Sequence, residues 1–527
     1  MRKTSERENR LAVLLLFMIA CALPAAQISA AVAAEKSDKL AEKPAVSTEK
    51  SDRWYDGIFP LGDKIPVKSL KDEYVPFRTE KEGHGKKTLP ARPRLAVEAG
   101  DGFLDTGNLS AGFEVPILGA VWQPRLWAYM ISRTAFQTFD AGFTGAERET
   151  EIANRTDIYI NLQLTGTEKI LLGLRPLDNN RPDRFTRYTF SGEEEGFNRF
   201  TRLGVETLFF EGDFGSLFPN LDQTGVSPID WGFTVGRQPI NFQEGIIIND
   251  TIDAVGVIRN NIPFEGLSNF RVSLLYGWNR VDRGDAAARA AGRAGDLEDF
   301  DGENDAQLFG AFAAADAKIS TFNLDSIYVT DDDGPDSVNI GFAAIQRLPI
   351  WGSDVATAFR INQSIAVDEE VIGVAGNGTL ITAEISQNVP GSNDIVYFNS
   401  FLNFGNYTQA GREDVVGGPL GNTGILFASP SLSTYGAEID PFLRDDTVGG
   451  AVGYQAFWDN GRRNLILEMA GRADISGSPE AFDSLGFGAQ LQQAISQYYL
   501  VTLESFYTIN ENRDDGWGAR AEFQVVY

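Results

Sequence analysis

From Leu95 onward the chain repeats one pattern: segments of about ten residues alternate apolar and polar positions, and Gly, Asn, Asp and Pro separate them. The clearest runs from Asp157 to Thr165. Ile158, Ile160, Leu162 and Leu164 fall on one face, and Asp157, Tyr159, Asn161, Gln163 and Thr165 on the other. Successive side chains point to opposite faces of a strand, so such a segment has one apolar and one water-compatible face. Val338, Ile340, Phe342 and Ala344 oppose Asn339, Gly341 and Ala343 in the same way. Leu465, Leu467 and Met469 oppose Asn464, Glu468 and Arg472, while Tyr499, Val501, Leu503, Tyr507 and Ile509 oppose Thr502, Glu504 and Thr508. In the last segment Trp517, Ala519, Ala521, Phe523, Val525 and Tyr527 oppose Gly518, Arg520, Glu522 and Gln524. A soluble β-sandwich also alternates, but its strands are usually shorter.

The pattern predicts an all-β chain, and the connection lengths predict how its strands are joined. In an up-and-down antiparallel barrel of the outer-membrane kind, short turns gather at one end and long loops at the other. Counting back from a periplasmic C-terminus, Asn510 to Gly516 is an outer loop and Ser496-Gln497 a periplasmic turn. Ile475 to Asp483 is then outer, and Asp459-Asn460-Gly461-Arg462 is a tight periplasmic hairpin. Thr408 to Asp446, Asp282 to Asp305 and Asp140 to Ala153 also fall outside. One misfit is Asp213 to Asp230, long yet on the periplasmic side. The expectation is a transmembrane antiparallel up-and-down β-barrel of about 18 strands, within 16 to 20, with long extracellular loops.

The N-terminal part has a different character. Arg2, Lys3, Arg7 and Arg10 precede an apolar run from Leu11 to Pro24, and small residues lead to Val32-Ala33-Ala34. This reads as a secretory signal peptide over residues 1–34, cleaved near Ala34, rather than as a membrane anchor. Residues 35–94 are Lys-rich and carry six prolines, and read as a periplasmic extension or small plug, with a solvated linker as the alternative. The barrel is assigned to residues 95–527. No later stretch supplies the roughly 18 apolar residues of a membrane-spanning helix, so a membrane form must be a closed barrel.

Charge and composition narrow the function. Of 46 Lys+Arg and 73 Asp+Glu, 18 and 13 precede Leu95, which leaves 28 and 60 in the body. So acidic a body disfavours nucleic acid. Cys21 is the only cysteine and His84 the only histidine, both ahead of the barrel, so a thiolate site, a Ser-His pair or a His-based metal centre on the wall is excluded. The expectation is no enzyme and no cofactor. The acidic stretches Asp296 to Asp305 and Asp331 to Asp336 lack the carboxylate spacing of a calcium loop. They read as solvated outer loops, with loose divalent-cation bridging of lipopolysaccharide as the alternative.

Alternation places Arg175, Arg271, Arg360, Glu384, Glu468, Arg472, Glu504, Arg520 and Glu522 on the polar face, hence toward a lumen. Facing rows of Arg and Glu would set a transverse field across a water-filled constriction; pairing within the wall is the equal alternative. The C-terminal run with Phe523, Val525 and Tyr527 resembles the insertion signature of outer-membrane proteins, with Tyr in the terminal place of the usual Phe or Trp. Val235-Gly236-Arg237-Gln238, then Gly245, then Asp250-Thr251-Ile252-Asp253-Ala254-Val255, resembles the strand-loop-strand pattern of alginate-export-like outer-membrane channels. That resemblance spans roughly twenty residues. It implies an 18-stranded monomer passing an anionic polysaccharide through an arginine-lined pore.

The leading expectation is a bacterial (Gram-negative) outer-membrane porin for passive or moderately selective transport of small polar solutes, cation-preferring because of its acidic body. A dedicated polysaccharide or oligosaccharide channel of the alginate-export-like type, and an adhesin-like structural barrel with a closed lumen, are the alternatives. The expected partners are outer-membrane lipid, lipopolysaccharide, the barrel-assembly machinery and the transported solute.

Overall fold

The computed structural model describes residues 95–527 apart from 104–110, 117, 141–147, 179–185, 193–194, 200–201, 222–229, 284–305, 332–333, 351–352, 368, 372, 413–419, 421–423, 427–445 and 478–482. The expected signal peptide, the 35–94 extension and the acidic Asp296 to Asp305 stretch lie outside the described residues.

Short strands β1 (Val97–Ala99), β2 (Phe113–Glu114) and β3 (Val121–Trp122) lead into long ones. The first group comprises β4 (Arg125–Asp140), β5 (Glu149–Gln163), β6 (Lys169–Asp178), β7 (Thr186–Ser191), β8 (Gly196–Asn198) and β9 (Arg202–Asp213). Next come β10 (Gly232–Phe242), β11 (Ile248–Arg259), β12 (Asn269–Asn279), β13 (Gln307–Ala317), β14 (Ser320–Thr330) and β15 (Ser337–Ile350). The last are β16 (Ser353–Ala366), β17 (Gly378–Asn388), β18 (Ile395–Gly405), β19 (Thr447–Trp458), β20 (Arg463–Asp474), β21 (Ser484–Ala494), β22 (Tyr499–Asn510) and β23 (Gly516–Val526).

Eighteen of these, β4, β5, β6 and β9 to β23, form a closed antiparallel ring. Each pairs with its sequence neighbours, and β23 closes the ring on β4 from Trp517↔Asp140 to Val526↔Ile131. Strands β7 and β8 prolong the β6/β9 hairpin, and β1 lies along the lower part of β4. Closure removes the sheet edges, the condition for a sheet to sit in lipid. The alternation read from the sequence holds around the ring. Ile340, Phe342, Ile361, Leu503 and Phe523 are exposed on the outer wall, while Arg360, Thr508 and Glu522 are buried on the inner one.

Short turns gather at one end of the ring and long connections at the other. Asp459, Asn460 and Gly461 take left-handed φ values of 56°, 54° and 82°, the conformation that reverses β19 into β20. The long 213–230 connection does lie at the turn end, and its length reflects added structure rather than a missing strand pair. It holds a one-turn helix, α1 (Phe214–Leu217), capped by the Asp213 carboxylate accepting from the Ser216 amide. Phe214 stacks on Phe233 at 4.4 Å.

One hairpin departs from the wall. β10 pairs with β9 only as far as Arg237↔Leu208, and β11 pairs with β12 only from Asp253 onward. Residues 238–252 therefore leave both neighbouring wall strands, pair with one another and, through Asn249, with Arg412, and turn into the barrel interior. The sequence requires it. Below this level Phe233, Val235, Val255 and Val257 occupy the outward positions, but above it these positions hold Arg237, Asn241, Asn249, Thr251 and Asp253. The inward positions now hold Ile240, Phe242, Ile248 and Ile252, with Gln238 and Asp250 buried among them and hydrogen-bonded to the Ala254 carbonyl and the Asp282 amide. Left in the wall, the hairpin would show lipid its polar side; folded inward, it buries its apolar side. Gly236, with φ 121°, and the irregularity at Asp253/Ala254 supply the bend.

The inner wall receives it. Leu275, Leu308, Phe312, Ile327 and Val329 of β12 to β14 pack with Ile240, Ile247, Ile248 and Ile252, and Phe242 stacks on Phe312 at 3.5 Å. These strands are apolar on both faces at this height, as strands covered on both sides must be. Each fully buried isoleucine contributes on the order of 2 kcal/mol.

Candidate pore constriction

At the hairpin apex Gln243, Glu244 and Gly245 take φ values of 50°, 57° and 85°. Two consecutive non-glycine residues in the left-handed region cost on the order of 1 kcal/mol each, and such backbone persists only where its surroundings fix it. They do so here. Gln243 Nε2 donates to Asp325 at 2.8 Å, and Arg360 meets Glu244 at 3.0 Å on one side and Glu384 on the other. Tyr407 donates to the Ile246 carbonyl at 2.8 Å, and Gln409 to that of Gly245. Burial lifts the Tyr407 hydroxyl well above its ordinary pKa, against the pull of Arg412, so it remains a donor.

Residues 406–412, at the start of the β18–β19 connection, form a second infolded piece. Ala410 N donates to the Ile247 carbonyl and Asn249 N to that of Gly411, both at 3.0 Å, and Arg412 N bonds Asp282 O at 2.7 Å. The inner wall holds this segment through Asn339 Nδ2 to Thr408 O at 2.7 Å and Thr408 N to Ser364 Oγ at 3.1 Å. Leu420, Ile425 and Leu426 continue across to Phe401, Ala451, Ala470 and Phe506. The lumen is thus crossed by a built layer, apolar toward β12 to β14 and toward β19 to β22, and polar toward β15 to β17.

The sequence-predicted lumen residues fall into separate groups on the inner wall. Arg360 and Glu384 meet at the hairpin apex. Arg520 lies 2.8 Å from Glu522 and 3.8 Å from Glu504, and Glu522 also takes a two-pronged contact from Arg133 at 2.6 and 2.8 Å. Arg175 bonds Asp157 at 2.9 Å, with Glu206 at 3.5 Å and Arg155 on the same Asp157 at 2.7 Å. Glu468 accepts from the Tyr397 hydroxyl and the Leu426 amide. Arg472 is buried on β20, and Arg271 stands exposed on the inward face of β12.

The residues of the alginate-export-like pattern build the hairpin. Arg237 and Asp253 are register partners joined by two hydrogen bonds of 2.8 and 2.9 Å, on the outward side with Val235 rather than in the pore. Gln238 donates to the Ala254 carbonyl at 3.2 Å, and Gly245 closes the apex. Phe523 and Val525 lie on the outer face of β23, where Phe523 stacks on Tyr499 at 5.8 Å; Tyr527 exchanges backbone hydrogen bonds with Met130 at 2.7 and 2.9 Å. The constriction residues Gln243, Glu244, Asn362 and Tyr407 were not among the sequence candidates. The reversed alternation from Gln238 to Ile252 was the signal for Gln243 and Glu244; Asn362 and Tyr407 carried none of their own.

No family model matches the chain, and no curated protein matches it. Solved structures do. OccAB3 of Acinetobacter baumannii is similar over 76% of this chain and 99% of its own, with 12% identity and a TM-score of 0.51. OpdQ of Pseudomonas aeruginosa covers 77% and 97%, with 9% identity and a TM-score of 0.48. Wzi of Escherichia coli, described as a carbohydrate-binding β-barrel involved in group 1 capsule assembly, covers 75% and 84%, with 10% identity and a TM-score of 0.45. The fold is that of outer-membrane porins.

Proposed function

We propose that the chain is an outer-membrane channel for small polar solutes, preferring cationic and neutral ones, with no catalytic role. The carrying observation is the apex of the infolded hairpin. The Glu244 side chain is 51% exposed, whereas the Arg360 that holds it is fully covered. Two carboxylates, Glu244 and Glu384, share one guanidinium, so the constriction presents net negative charge to the lumen. The acidic body adds a field of the same sign, strongest at low salt. In this reading the loop end faces outward among lipopolysaccharide, residues 1–34 are removed on export, and the assembly machinery inserts the barrel through its C-terminal strand. Loose divalent cations at acidic outer loops fit the same reading.

The test is the reversal potential of the refolded protein in a planar bilayer under a low-salt KCl gradient. Cation preference, reduced in Glu244→Gln, is expected; anion preference would contradict the reading. A second reading, passage of an anionic polysaccharide or oligosaccharide, draws on Arg133 and Arg155. These are register partners on the inner wall, with side chains 21% and 16% exposed. Anion preference would bring it forward.

A further inference from the structure

We propose that the seam between the hairpin apex and the inner wall of β15 to β17 is a solute-binding step of the channel, taking a small uncharged polyol. The inference rests on the channel reading and adds a saturable site to it. Asn362, Thr382 and Gln243 are 0%, 1% and 7% exposed; Asn362 and Gln243 meet over Gly341, and Thr382 is the register partner of Arg360, two residues before Asn362 on β16. Asn362 Oδ1 and Nδ2, Thr382 Oγ1 and Gln243 Oε1 nevertheless have no hydrogen-bond partner. A buried amide or hydroxyl left unpaired keeps its desolvation cost, and native structures resolve such groups with water or a ligand. Here acceptors and donors stand side by side. A hydroxyl both donates and accepts, so a polyol satisfies both ends of the Asn362 amide, which an ion of one sign does not.

The local backbone brings the Asn362 and Gln243 side chains together over a glycine. Gly341 lies opposite Asn362, and a Cβ there would collide with Asn362 Oδ1 and Gln243 Nε2. Beside the seam, the half-exposed Glu244 marks its lumen side. Elsewhere the infolded layer is tied to the wall by apolar packing on β12 to β14 and by made hydrogen bonds such as Asn339–Thr408, Thr408–Ser364 and Leu426–Glu468, whereas this seam holds unpaired polar groups, so it is where the layer can part from the wall with water following. Entry requires the apex to move by the width of a solute, and each group it uncovers gains a partner.

The experiment is osmotic swelling of proteoliposomes in sorbitol, with triethylene glycol dimethyl ether, a flexible ether that accepts but does not donate, as the comparison solute. Sorbitol flux should saturate with concentration while ether flux stays linear. In Asn362→Ala, and separately in Thr382→Val, the sorbitol-to-ether ratio should fall by about fivefold, the worth of one net hydrogen bond. Heat-modifiable migration on gels checks that each variant folds. Linear sorbitol flux with the same ratio in folded variants would overturn the proposal and leave these groups to water alone. A protein that swells no liposome and conducts no KCl removes the channel reading and this step with it.

Discussion

The wall formed by β14 to β16 and the hairpin 238–252 are made by the same two-residue period, yet one stays in the ring and the other leaves it. In β15 and β16 the outward positions Ile340, Phe342, Phe359 and Ile361 are apolar and exposed, and the inward positions Asn339, Arg360 and Asn362 are polar and buried. In the hairpin the assignment reverses above Arg237 and Asp253, and the polypeptide follows its apolar side inward. Period alone predicts a strand. Which face carries the apolar residues decides whether that strand meets lipid or fills the lumen.

The largest expected effect comes from breaking the ring itself. Deleting Phe523 to Tyr527 removes four of the ten β23 pairs with β4 and the Tyr527 exchange with Met130. The truncated chain should fail to assemble and should be recovered as periplasmic aggregate; normal outer-membrane levels by fractionation would refute this. Removing the hairpin should do the opposite to the wall. Gln238 and Ile252 are register partners, so replacing residues 239–251 by Asn-Gly leaves every pair with β9 and β12 in place. Single-channel conductance should rise several-fold as the layer loses its anchor. An unchanged conductance would show that the hairpin does not limit the pore.

A smaller effect is expected at the latch. Arg360→Met leaves the partly buried Glu384 without its cation, and breaking such a pair costs about 3 kcal/mol. The unfolding midpoint in urea should fall, and Glu384→Gln in the same chain should restore part of the loss. The smallest concerns Asp336, at the β14–β15 turn. Burial raises its pKa, but the Tyr328 hydroxyl and the Asp331 amide outweigh this and hold it below 3.8. A lowered folded-state pKa stabilises at pH values above 3.8 and is lost as pH falls through the lower value. Asp336→Asn should therefore cost less than about 1 kcal/mol at pH 7, and the difference from the parent should vanish in strong acid.

Much of the fold was legible because lipid forces it. The alternating run at Asp157 to Thr165 is strand as far as Gln163, that at Tyr499 to Ile509 is strand throughout, and the division into turn and loop ends matches the connection lengths. The site was less legible. Parity placed Arg360 and Glu384 on the inner wall, but nothing local to either shows that Glu244, more than a hundred residues away in sequence, would stand against both. The pattern around Arg237 suggested an arginine-lined pore only through its resemblance to alginate-export-like channels. The actual partner of Arg237, Asp253, is set by the hairpin register, and the same pairing places both on the outward side.

The central claim is that Glu244 stands in the solute path, and it is open to a direct measurement. The only cysteine, Cys21, lies far ahead of the barrel, so Glu244→Cys in a chain starting at residue 35 carries a single thiol. Treating that channel in a bilayer with a methanethiosulfonate carrying a trimethylammonium group adds bulk and positive charge at the apex. The account predicts a stepwise fall in single-channel conductance and a loss of cation preference, both reversed by reductant. Complete modification by mass with conductance and ion preference unchanged would place Glu244 outside the path and contradict it.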